Sequence, residues 1–224
     1  MIRVKEGTSS NWSGYVAESS LASPSTQYIK SVIGTWKIPS VVCGFSNTFS
    51  SIWVGIDGYS DGTVEQLGTE QDCSGGIPVY YAWYEIYPNP AHYIPITVHV
   101  GHTITASVKY NATTGKFGLS MHDLTTGKSF FKSISSSAQR SSAEWIIEAP
   151  YFGGILPLSN FGTAHFSRAQ YSDVSVGGGS FHAVDFHGPG TYDSITMVDP
   201  NGGTSSPGPL FDTRSSSSFS ATFS

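Results

Sequence analysis

The segment SIWVGID at residues 51–57 alternates between two kinds of side chain, and this alternation is the basis of the predicted fold. In an extended chain, Ile52, Val54 and Ile56 lie on one face, whereas Trp53 and Asp57 lie on the other. A short segment with one aliphatic face and one mixed face predicts a β-strand that is half buried in a sheet.

Two neighbouring segments extend the pattern along the chain. In TVEQLGTE (63–70), Gln66 and Glu70 share one face of the predicted strand and Leu67 lies on the opposite face. In VYYAWYEIYP (79–88), aromatic residues occupy both faces, which predicts a strand in the centre of a sheet with both sides covered.

Further segments favour extended chain, and turn-forming Gly, Asn, Asp and Pro residues separate them. They are residues 28–38, 95–100, 103–110, 117–124, 130–134, 165–174, 182–187, 194–199 and 217–224. About a dozen strands without a convincing amphipathic helix predict an all-β, antiparallel β-sandwich of two packed sheets. No internal repeat occurs, and only 15 residues follow the Gly/Pro/Ser-rich stretch 200–209, so we expect one domain over residues 1–224 whose last segment rejoins the sheet.

The composition argues against several classes of partner. Charged residues make up 12% of the chain, the formal net charge is −5, and Lys and Arg form no cluster, so we expect no nucleic acid partner. No long uninterrupted apolar run is present, so we expect no membrane span. Few carboxylates are available for pairing, which suits acidic surroundings, although a secreted, turn-rich protein without an acid requirement would have the same composition.

The chain has two cysteines, Cys43 and Cys73. The pair is consistent with one disulfide in an oxidising compartment, and two unrelated reduced thiols are the alternative. The opening residues MIRVKEGTSSNW lack an apolar signal segment, so a signal or pro-segment has either been removed or never existed. We favour the disulfide and a secreted protein.

AEWIIEAP at residues 143–150 contains two glutamates, Glu144 and Glu148, that share a face in a helix and in a strand alike. The tryptophan, the isoleucines and the closing proline favour a strand, whose core face would carry Trp145 and Ile147. At ~3.3 Å per residue the two carboxyl groups are about 13 Å apart, too far to act as one pair. Glu144 is predicted to be a structural or solvent-facing carboxylate.

Common catalytic and ligand-binding motifs are missing. The chain has no G-x-S-x-G elbow, no H-E-x-x-H pair among its seven histidines, and no glycine pattern for a dinucleotide or a phosphate. The serines are too numerous for one sequence to test a Ser/His/Asp triad. GGGS at residues 177–180 is predicted to be a loop. We therefore expect no metal site.

Several segments together resemble the glutamic peptidases, or eqolisins, which are named after a catalytic Glu and Gln. The matching text is SSNWSGYV (9–16), WVGIDG (53–58), VEQLG (64–68), AWYEIYP (82–88) and AEWIIE (143–148). The resemblance implies a concanavalin A-like jelly roll of two roughly seven-stranded antiparallel sheets. It also implies an acid-active endopeptidase that cleaves polypeptides with neither metal nor cofactor. We expect the protein to be a monomer.

The resemblance also implies roles for individual residues. The catalytic Gln of the family falls on Gln66 and its catalytic Glu on Glu148. Glu148 would then activate water and protonate the leaving amine, while Gln66 stabilises the oxyanion, and mechanisms that begin with a protonated Glu148 stay open. An amide suits the oxyanion role at low pH because it does not titrate. Residues of the family's substrate groove and neighbouring carboxylates fall on five further positions: Trp12, Trp53, Asp57, Glu70 and Tyr87.

The chain departs from the fungal pattern directly after Glu148. Ala149, Pro150 and Tyr151 stand where that pattern has acidic and aromatic residues. The supporting hydrogen bonds that neighbouring acids supply in that pattern must therefore come from elsewhere or be lost, and the family's primed-side specificity is not carried over. The cysteine spacing does not match either, so the family's disulfide pattern is not carried over.

A second class of function fits the same composition. Aromatic grooves on β-sandwiches also bind sugars, so a glycan-binding or glycoside-hydrolysing sandwich is the alternative to a peptidase. A glycoside hydrolase needs two carboxyl groups ~5–10 Å apart, and it would tolerate Gln66→Glu. In a peptidase the same substitution would put a titrating group in the oxyanion site.

Overall fold

The structure is a computed structural model that describes residues 3–177, 180–184 and 191–224. In these ranges the chain forms seventeen β-strands and no helix. The described residues accordingly contain no helix that is long and apolar enough to cross a membrane. Residues 178 and 179 of the predicted GGGS loop, and residues 185–187 of the predicted strand at 182–187, lie outside the described residues.

The strands follow one another along the chain with short connections. In order they are β1 (Arg3–Ser9), β2 (Trp12–Glu18), β3 (Ile29–Lys37), β4 (Ser51–Ile56), β5 (Val64–Ser74), β6 (Ile77–Tyr87), β7 (His92–Ile94), β8 (Thr103–Asn111), β9 (Lys116–Asp123), β10 (Ser129–Ile134), β11 (Ser142–Glu148), β12 (Thr163–Asp173), β13 (His182–Ala183), β14 (Thr191–Val198), β15 (Thr204–Pro207), β16 (Phe211–Asp212) and β17 (Ser217–Phe223).

Hydrogen-bonded pairing arranges these strands in two runs. The first run, which we call the front sheet, has the order β1-β14-β2-β11-β4-β5-β6-β7. The second run, the back sheet, has the order β10-β9-β8-β3-β12-β17. Strand β15 pairs with β14 and with β17 and so joins the two runs. The prediction of antiparallel pairing is confirmed except at β1, which runs parallel to β14.

A hydrophobic core lies between the two sheets, where β3 and β8 contact β4 and β5. The side chains of Ile52, Val54, Ile56, Leu67 and Trp145 belong to this core and are fully buried. The alternation that predicted these strands is therefore confirmed, since each aliphatic or aromatic residue of the predicted core face lies on the inner side of the front sheet.

The outer face of the front sheet is also apolar near its centre. Trp53, Trp83 and Ile146 form a second buried cluster there, and Trp12 packs against it. The front sheet is thus covered on both faces where β4, β5 and β11 lie side by side. Burial on both faces explains why polar side chains on its outer face are held in a nearly dry environment.

The structure corrects three predictions about strands. Strand β6 was predicted to be central, but beyond its pairing with β5 it meets only the three-residue β7, and its first residues are exposed. Its aromatic residues lie on both faces of the sheet, with Tyr84 in the core and Trp83 in the outer cluster. Residues 95–100 form no strand. Strands β1, β2, β7, β15 and β16 were not predicted; β1 is charged and β15 is Gly/Pro/Ser-rich, so neither carries a clear alternation.

The predicted disulfide between Cys43 and Cys73 is confirmed, with the two Cα atoms 5.4 Å apart. It joins the loop before β4 to the end of β5, and Cys73 also pairs with Thr48 through backbone hydrogen bonds. A bridge of this length typically contributes about 2–4 kcal/mol to the free energy of unfolding. The crosslink therefore stabilises the loop that enters the central strands of the front sheet.

Candidate active site

A cleft of about 1150 Å³ lies on the outer face of the front sheet. Its lining includes both residues that were predicted to be catalytic, Gln66 and Glu148, together with Trp12, Glu70 and Tyr87. These five residues come from β2, β5, β6 and β11, so only the pairing of those strands brings them together. Two further predicted positions, described below, do not line the cleft.

Glu148 is the last residue of β11 and lies between Trp12 of β2 and Ser51 of β4. Its Oε1 accepts a hydrogen bond from Asn11 Nδ2 at 3.1 Å, and its Oε2 accepts one from Trp53 Nε1 at 2.8 Å. Burial raises the pKa of Glu148 to about 7, because the cost of burying the charge outweighs the stabilisation from these donors. At acidic pH the group is therefore mainly the neutral acid.

Trp53 lies under the cleft and does not line it, since its side chain is fully buried. Two glycines make room for its indole: a Cβ at Gly55 would lie 2.9 Å from Trp53 Cζ3, and one at Gly68 would lie 2.6 Å from Trp53 Cβ. Trp12 packs edge-on against it with ring centroids 5.0 Å apart. The predicted substrate contact is thus corrected: Trp53 forms the floor and holds Glu148 by a hydrogen bond.

Gln66 lies on β5 directly opposite Glu85 of β6. Its Nε2 donates to Glu85 Oε2 at 2.6 Å, whereas its buried Oε1 has no hydrogen-bond partner within the described residues. Burial raises the pKa of Glu85, and the hydrogen bond from Gln66 opposes that rise. Glu85 thereby fixes which side of the Gln66 amide carries the N–H groups.

Glu85 was not predicted as a site residue. Two signals in the sequence pointed to it: it lies within the AWYEIYP motif, and alternation along β6 puts it on the same face as Trp83 and Tyr81. What was missing was the register, which sets Glu85 beside Gln66. The charge of Glu85 also contributes to the raised pKa of Glu148, so the two predicted catalytic residues share an electrostatic neighbour.

The route between Gln66 and Glu148 crosses the floor of the cleft. On β4, the strand between them, Gln66 pairs with Gly55 and Glu148 pairs with Ser51. The intervening position on β5 is Gly68, which has no side chain to fill the space above Trp53. The position between the two groups therefore contributes no side chain, and Trp53 packs against the backbone there.

Glu70 lines the cleft close to Glu148 and accepts a hydrogen bond from the Ser51 hydroxyl. Burial and the neighbouring Asp72 carboxylate raise the pKa of Glu70 well above its ordinary range. Burial also raises the pKa of Asp72 to about 6. The predicted carboxylate next to the catalytic pair is thus present, and it lies on the Glu148 side of the cleft.

Asp57 does not reach the cleft, which corrects its predicted contact with substrate. Its carboxylate is fully buried and accepts hydrogen bonds from the backbone N–H groups of Arg140 and Ser141, each at 2.6 Å. Its own φ of 71° and the φ of 57° at Arg140 place both residues in the left-handed region. Asp57 therefore holds the chain in the turn that leads into β11.

Glu144 is fully buried, which corrects the prediction of a solvent-facing carboxylate. Neither of its carboxyl oxygens has a hydrogen-bond partner within the described residues. Burial raises the pKa of Glu144 well above its ordinary value, and the nearby carboxyl groups of Asp57, Glu18 and Asp61 add to the rise. The group lies away from the cleft and is neutral in acid.

Aromatic residues form much of the cleft wall. Tyr87, which was predicted to line the groove, is about half exposed at 49% and lies at the edge of the cleft. Tyr59, Tyr81 and Tyr93 line it as well. Within the described residues, no group of three or more His, Cys, Asp or Glu side chains has an arrangement that could hold a metal ion.

Comparisons with known proteins give the class to which this arrangement belongs. The family model described as the Peptidase A4 family matches residues 10–204. No curated protein sequence is similar enough to this chain to count as a match.

Three solved structures share the fold over most of the chain. Scytalido-glutamic peptidase with a transition state analog inhibitor has a TM-score of 0.73 at 24% identity, covering 96% of this chain and 98% of that chain. SCP-B, a member of the Eqolisin family in a complex with the tripeptide Ala-Ile-His, has a TM-score of 0.69 at 23% identity with the same two coverages, 96% and 98%. Aspergilloglutamic peptidase from Aspergillus niger has a TM-score of 0.62 at 24% identity, covering 79% of this chain and 99% of that chain.

The fold and the family match together define a hydrolase of the glutamic peptidase class. The chain belongs to the Peptidase A4 family, the eqolisins, and its substrates are polypeptides. Membership of this family also decides between the two function classes that the sequence left open, in favour of the peptidase over a glycan-active sandwich.

Proposed function

We propose that this glutamic peptidase is an acid-active endopeptidase in which Glu148 transfers protons and Gln66 stabilises the oxyanion. One observation carries the proposal: both side chains line the same cleft, and each is held by its own partners. Asn11 and Trp53 donate to Glu148, and Glu85 accepts from Gln66. Side chains held in this way lose little entropy when a peptide binds, which favours catalysis.

Glu148 enters the reaction at acidic pH as the neutral acid, because burial raises its pKa to about 7. One carboxyl oxygen takes a proton from the attacking water while the other oxygen delivers its proton to the peptide carbonyl oxygen, and the new C–O bond gives a gem-diol. The C–N bond then breaks as Glu148 protonates the departing amine and takes a proton back from one gem-diol hydroxyl. Glu148 is regenerated, and one water is consumed for each bond cleaved.

Gln66 supplies a neutral N–H donor to the carbonyl oxygen, where negative charge develops as water adds and before the proton from Glu148 is fully transferred. Removing one such donor from a comparable site costs about 3 kcal/mol of transition-state stabilisation. While Glu85 is ionised it keeps the amide oriented, because a carboxylate only accepts hydrogen bonds and the amide oxygen of Gln66 is turned away from it. Because Gln66 does not titrate, no protonation of Gln66 changes the charge or the orientation of its N–H donor.

The pH dependence of activity follows from the same raised pKa. If the neutral form of Glu148 is the active one, kcat/KM is constant at acidic pH and falls as the pH rises through about 7. We further propose a secreted monomer, with the Cys43–Cys73 disulfide supporting an oxidising compartment. We also propose that the front and back sheets are the two sheets of a concanavalin A-like jelly roll.

Digestion of denatured casein or haemoglobin at acidic pH tests the proposal. We expect cleavage by the wild type that persists in the presence of an aspartic-peptidase inhibitor and disappears in Glu148→Gln. Cleavage inside the polypeptide, seen as intermediate-sized fragments by mass spectrometry, would establish the endopeptidase. Persistent cleavage in a purified Glu148→Gln preparation, or no cleavage by the wild type at any pH below neutral, would contradict it.

A further inference from the structure

The segment that follows Glu148 forms a closed loop with its own backbone hydrogen bonds. Tyr151 pairs with Ile155 in a short bridge, the Phe152 N–H donates to the Gly154 carbonyl at 2.8 Å, and the Leu156 N–H donates to the Pro150 carbonyl at 2.9 Å. These two hydrogen bonds close the loop on itself and favour one defined backbone shape.

The loop is also fixed to the neighbouring segment that leads into β4. Phe49 donates its backbone N–H to the Pro157 carbonyl at 2.8 Å, and the Ser159 N–H donates to the Phe49 carbonyl at 2.9 Å. The Cys43–Cys73 disulfide lies at the start of the same segment. Phe49 and the loop are therefore held next to each other as one wall of the cleft.

The side chains of this wall are large and apolar, and two of them are open to solvent. Tyr151 is 69% exposed and Phe152 is 86% exposed, and both line the cleft with the partly buried Leu156 and Phe49. Isolated exposed apolar side chains are common, but two exposed rings beside two partly buried apolar side chains on one wall of a substrate cleft form a patch that favours an apolar partner. The loop geometry holds the two most exposed rings at the cleft rather than in the core.

The charges of the cleft make this wall selective. The described residues that line the cleft include no Lys or Arg, whereas Glu70, Glu85 and Glu148 are among them. An acidic side chain of a substrate would meet carboxyl groups and no Lys or Arg among these lining residues, with His92 as their basic side chain. Any charged side chain placed against the apolar wall would lose hydration without gaining a partner.

We propose that Tyr151 and Phe152, with Phe49 and Leu156, form a subsite for one bulky apolar side chain of the substrate close to the scissile bond. The inference rests on the proposed function, since Glu148 marks the reaction centre. Tyr151 and Phe152 follow Glu148 by three and four residues, so their backbone lies within roughly 10–14 Å of it. The subsite takes a side chain within about three residues of the cleaved bond, and the preferred substrates are polypeptides with Phe, Tyr, Leu or Met there.

A set of internally quenched peptides tests the subsite. The peptides share one sequence and differ at a single position, which carries Phe, Leu, Ala, Asp or Lys and is moved stepwise across the cleavage point. At one of these positions we expect the wild type to favour Phe over Ala by roughly 10–100-fold in kcat/KM and to disfavour Asp. The double variant Tyr151→Ser/Phe152→Ser should reduce the preference for Phe over Ala, measured as the ratio of the two kcat/KM values, to about threefold or less.

Phe211→Ser is the matched control, because Phe211 is 69% exposed and does not line the cleft. It should leave the whole preference profile unchanged. Both variants alter exposed side chains, so circular dichroism and thermal unfolding should match the wild type. A wild type that cleaves the peptides without an apolar preference, or a double variant that keeps the preference, overturns the subsite.

Equilibrium binding separates the subsite from the proposed chemistry. In the Glu148→Gln background, fluorescence anisotropy of labelled Phe and Ala peptides should show tighter binding of the Phe peptide, and Tyr151→Ser/Phe152→Ser should remove that difference. A binding preference without wild-type cleavage keeps the subsite and overturns the catalytic proposal. Cleavage without a preference for the Phe peptide, in binding or in kcat/KM, keeps the catalytic proposal and overturns the subsite.

Discussion

Glu144 and Glu148 belong to the same face of the same strand, yet their surroundings differ in every respect that matters for chemistry. Glu148 opens onto the cleft and receives hydrogen bonds from Asn11 and Trp53, whereas Glu144 is sealed and its oxygens have no hydrogen-bond partner within the described residues. Burial raises the pKa of both groups. A raised pKa alone therefore does not mark a catalytic acid; access to the cleft and fixed orientation do.

The largest expected effect separates these two glutamates directly. Glu148→Gln should lower kcat by about 10²–10⁴-fold because it removes the group that takes up and returns protons. Glu144→Gln should leave kcat within about threefold at acidic pH, since Glu144 does not line the cleft. Steady-state kinetics on one quenched peptide checks both. Comparable losses of kcat in the two variants, both well folded, would show that the proton transfer is wrongly assigned to Glu148 alone.

The next effect concerns the donor on the other side of the cleft. Gln66→Ala should lower kcat by about 10²–10³-fold with a smaller change in KM, because the donor acts mainly on charge that develops in the transition state. Gln139→Ala, which removes an exposed amide outside the cleft, is the matched control and should change neither constant. A Gln66→Ala variant with normal kcat would remove Gln66 from the mechanism.

The sealed glutamate should instead govern stability. A raised pKa means that the folded protein holds its proton more tightly than the unfolded chain does. This part of the stability is present below about pH 4.3 and is lost as the pH rises toward the folded-state pKa. For Glu18 that value is about 7, and for Glu144 it is well above the ordinary range. The wild type should therefore be most stable in acid and lose stability toward neutral pH.

Glu144→Gln should make this loss less steep. The free energy of unfolding should fall by up to about 1.4 kcal/mol less per pH unit than in the wild type, because one proton no longer links folding to pH. Urea unfolding at several pH values between about 4 and 7 measures the slope. Glu6→Gln, at an exposed position, provides the control. If the free energy of unfolding changes with pH equally steeply in the wild type and in Glu144→Gln, the raised pKa of Glu144 is contradicted.

The smallest expected effect concerns Glu85, which connects the two sides of the cleft. Glu85→Gln removes a charge that raises the pKa of Glu148, so the fall in kcat/KM should move to lower pH by less than about one unit. It also replaces a group that only accepts with an amide that both accepts and donates, so the orientation of Gln66 is no longer fixed and kcat should fall by about tenfold. A pH profile of kcat/KM measures both effects. A shift to higher pH would show that Glu85 does not act on Glu148 as described.

Local periodicity was sufficient for much of the fold. The faces of residues 51–57, 63–70 and 143–148 follow from alternation, because one side of each strand must enter an apolar core. The same rule treated Glu144 and Glu148 alike, since it reports the face of a strand and not what covers that face. Only the resemblance of ordered motifs separated the two glutamates.

Other features depend on contacts between distant segments and could not be read locally. Glu85 joins the site through its register with Gln66, and Asn11 reaches Glu148 from another strand. Asp57 lies next to the right residues in the sequence, yet its left-handed backbone and the turn at Arg140 take it away from the cleft. Strand β15 pairs across the two sheets although its composition resembles a linker.

The two glycines beneath the cleft bear on how this enzyme can diversify. Any side chain at Gly68 would collide with the backbone of β4 as well as with Trp53, and Gly55 has little more room. Evolution, or a protein engineer, can therefore vary little at these floor positions without displacing the indole that steadies Glu148. Tyr151 and Phe152 stand on a self-contained loop that can be exchanged. New cleavage preferences should accordingly arise through substitutions in that loop, while the floor residues beneath the bound peptide stay the same.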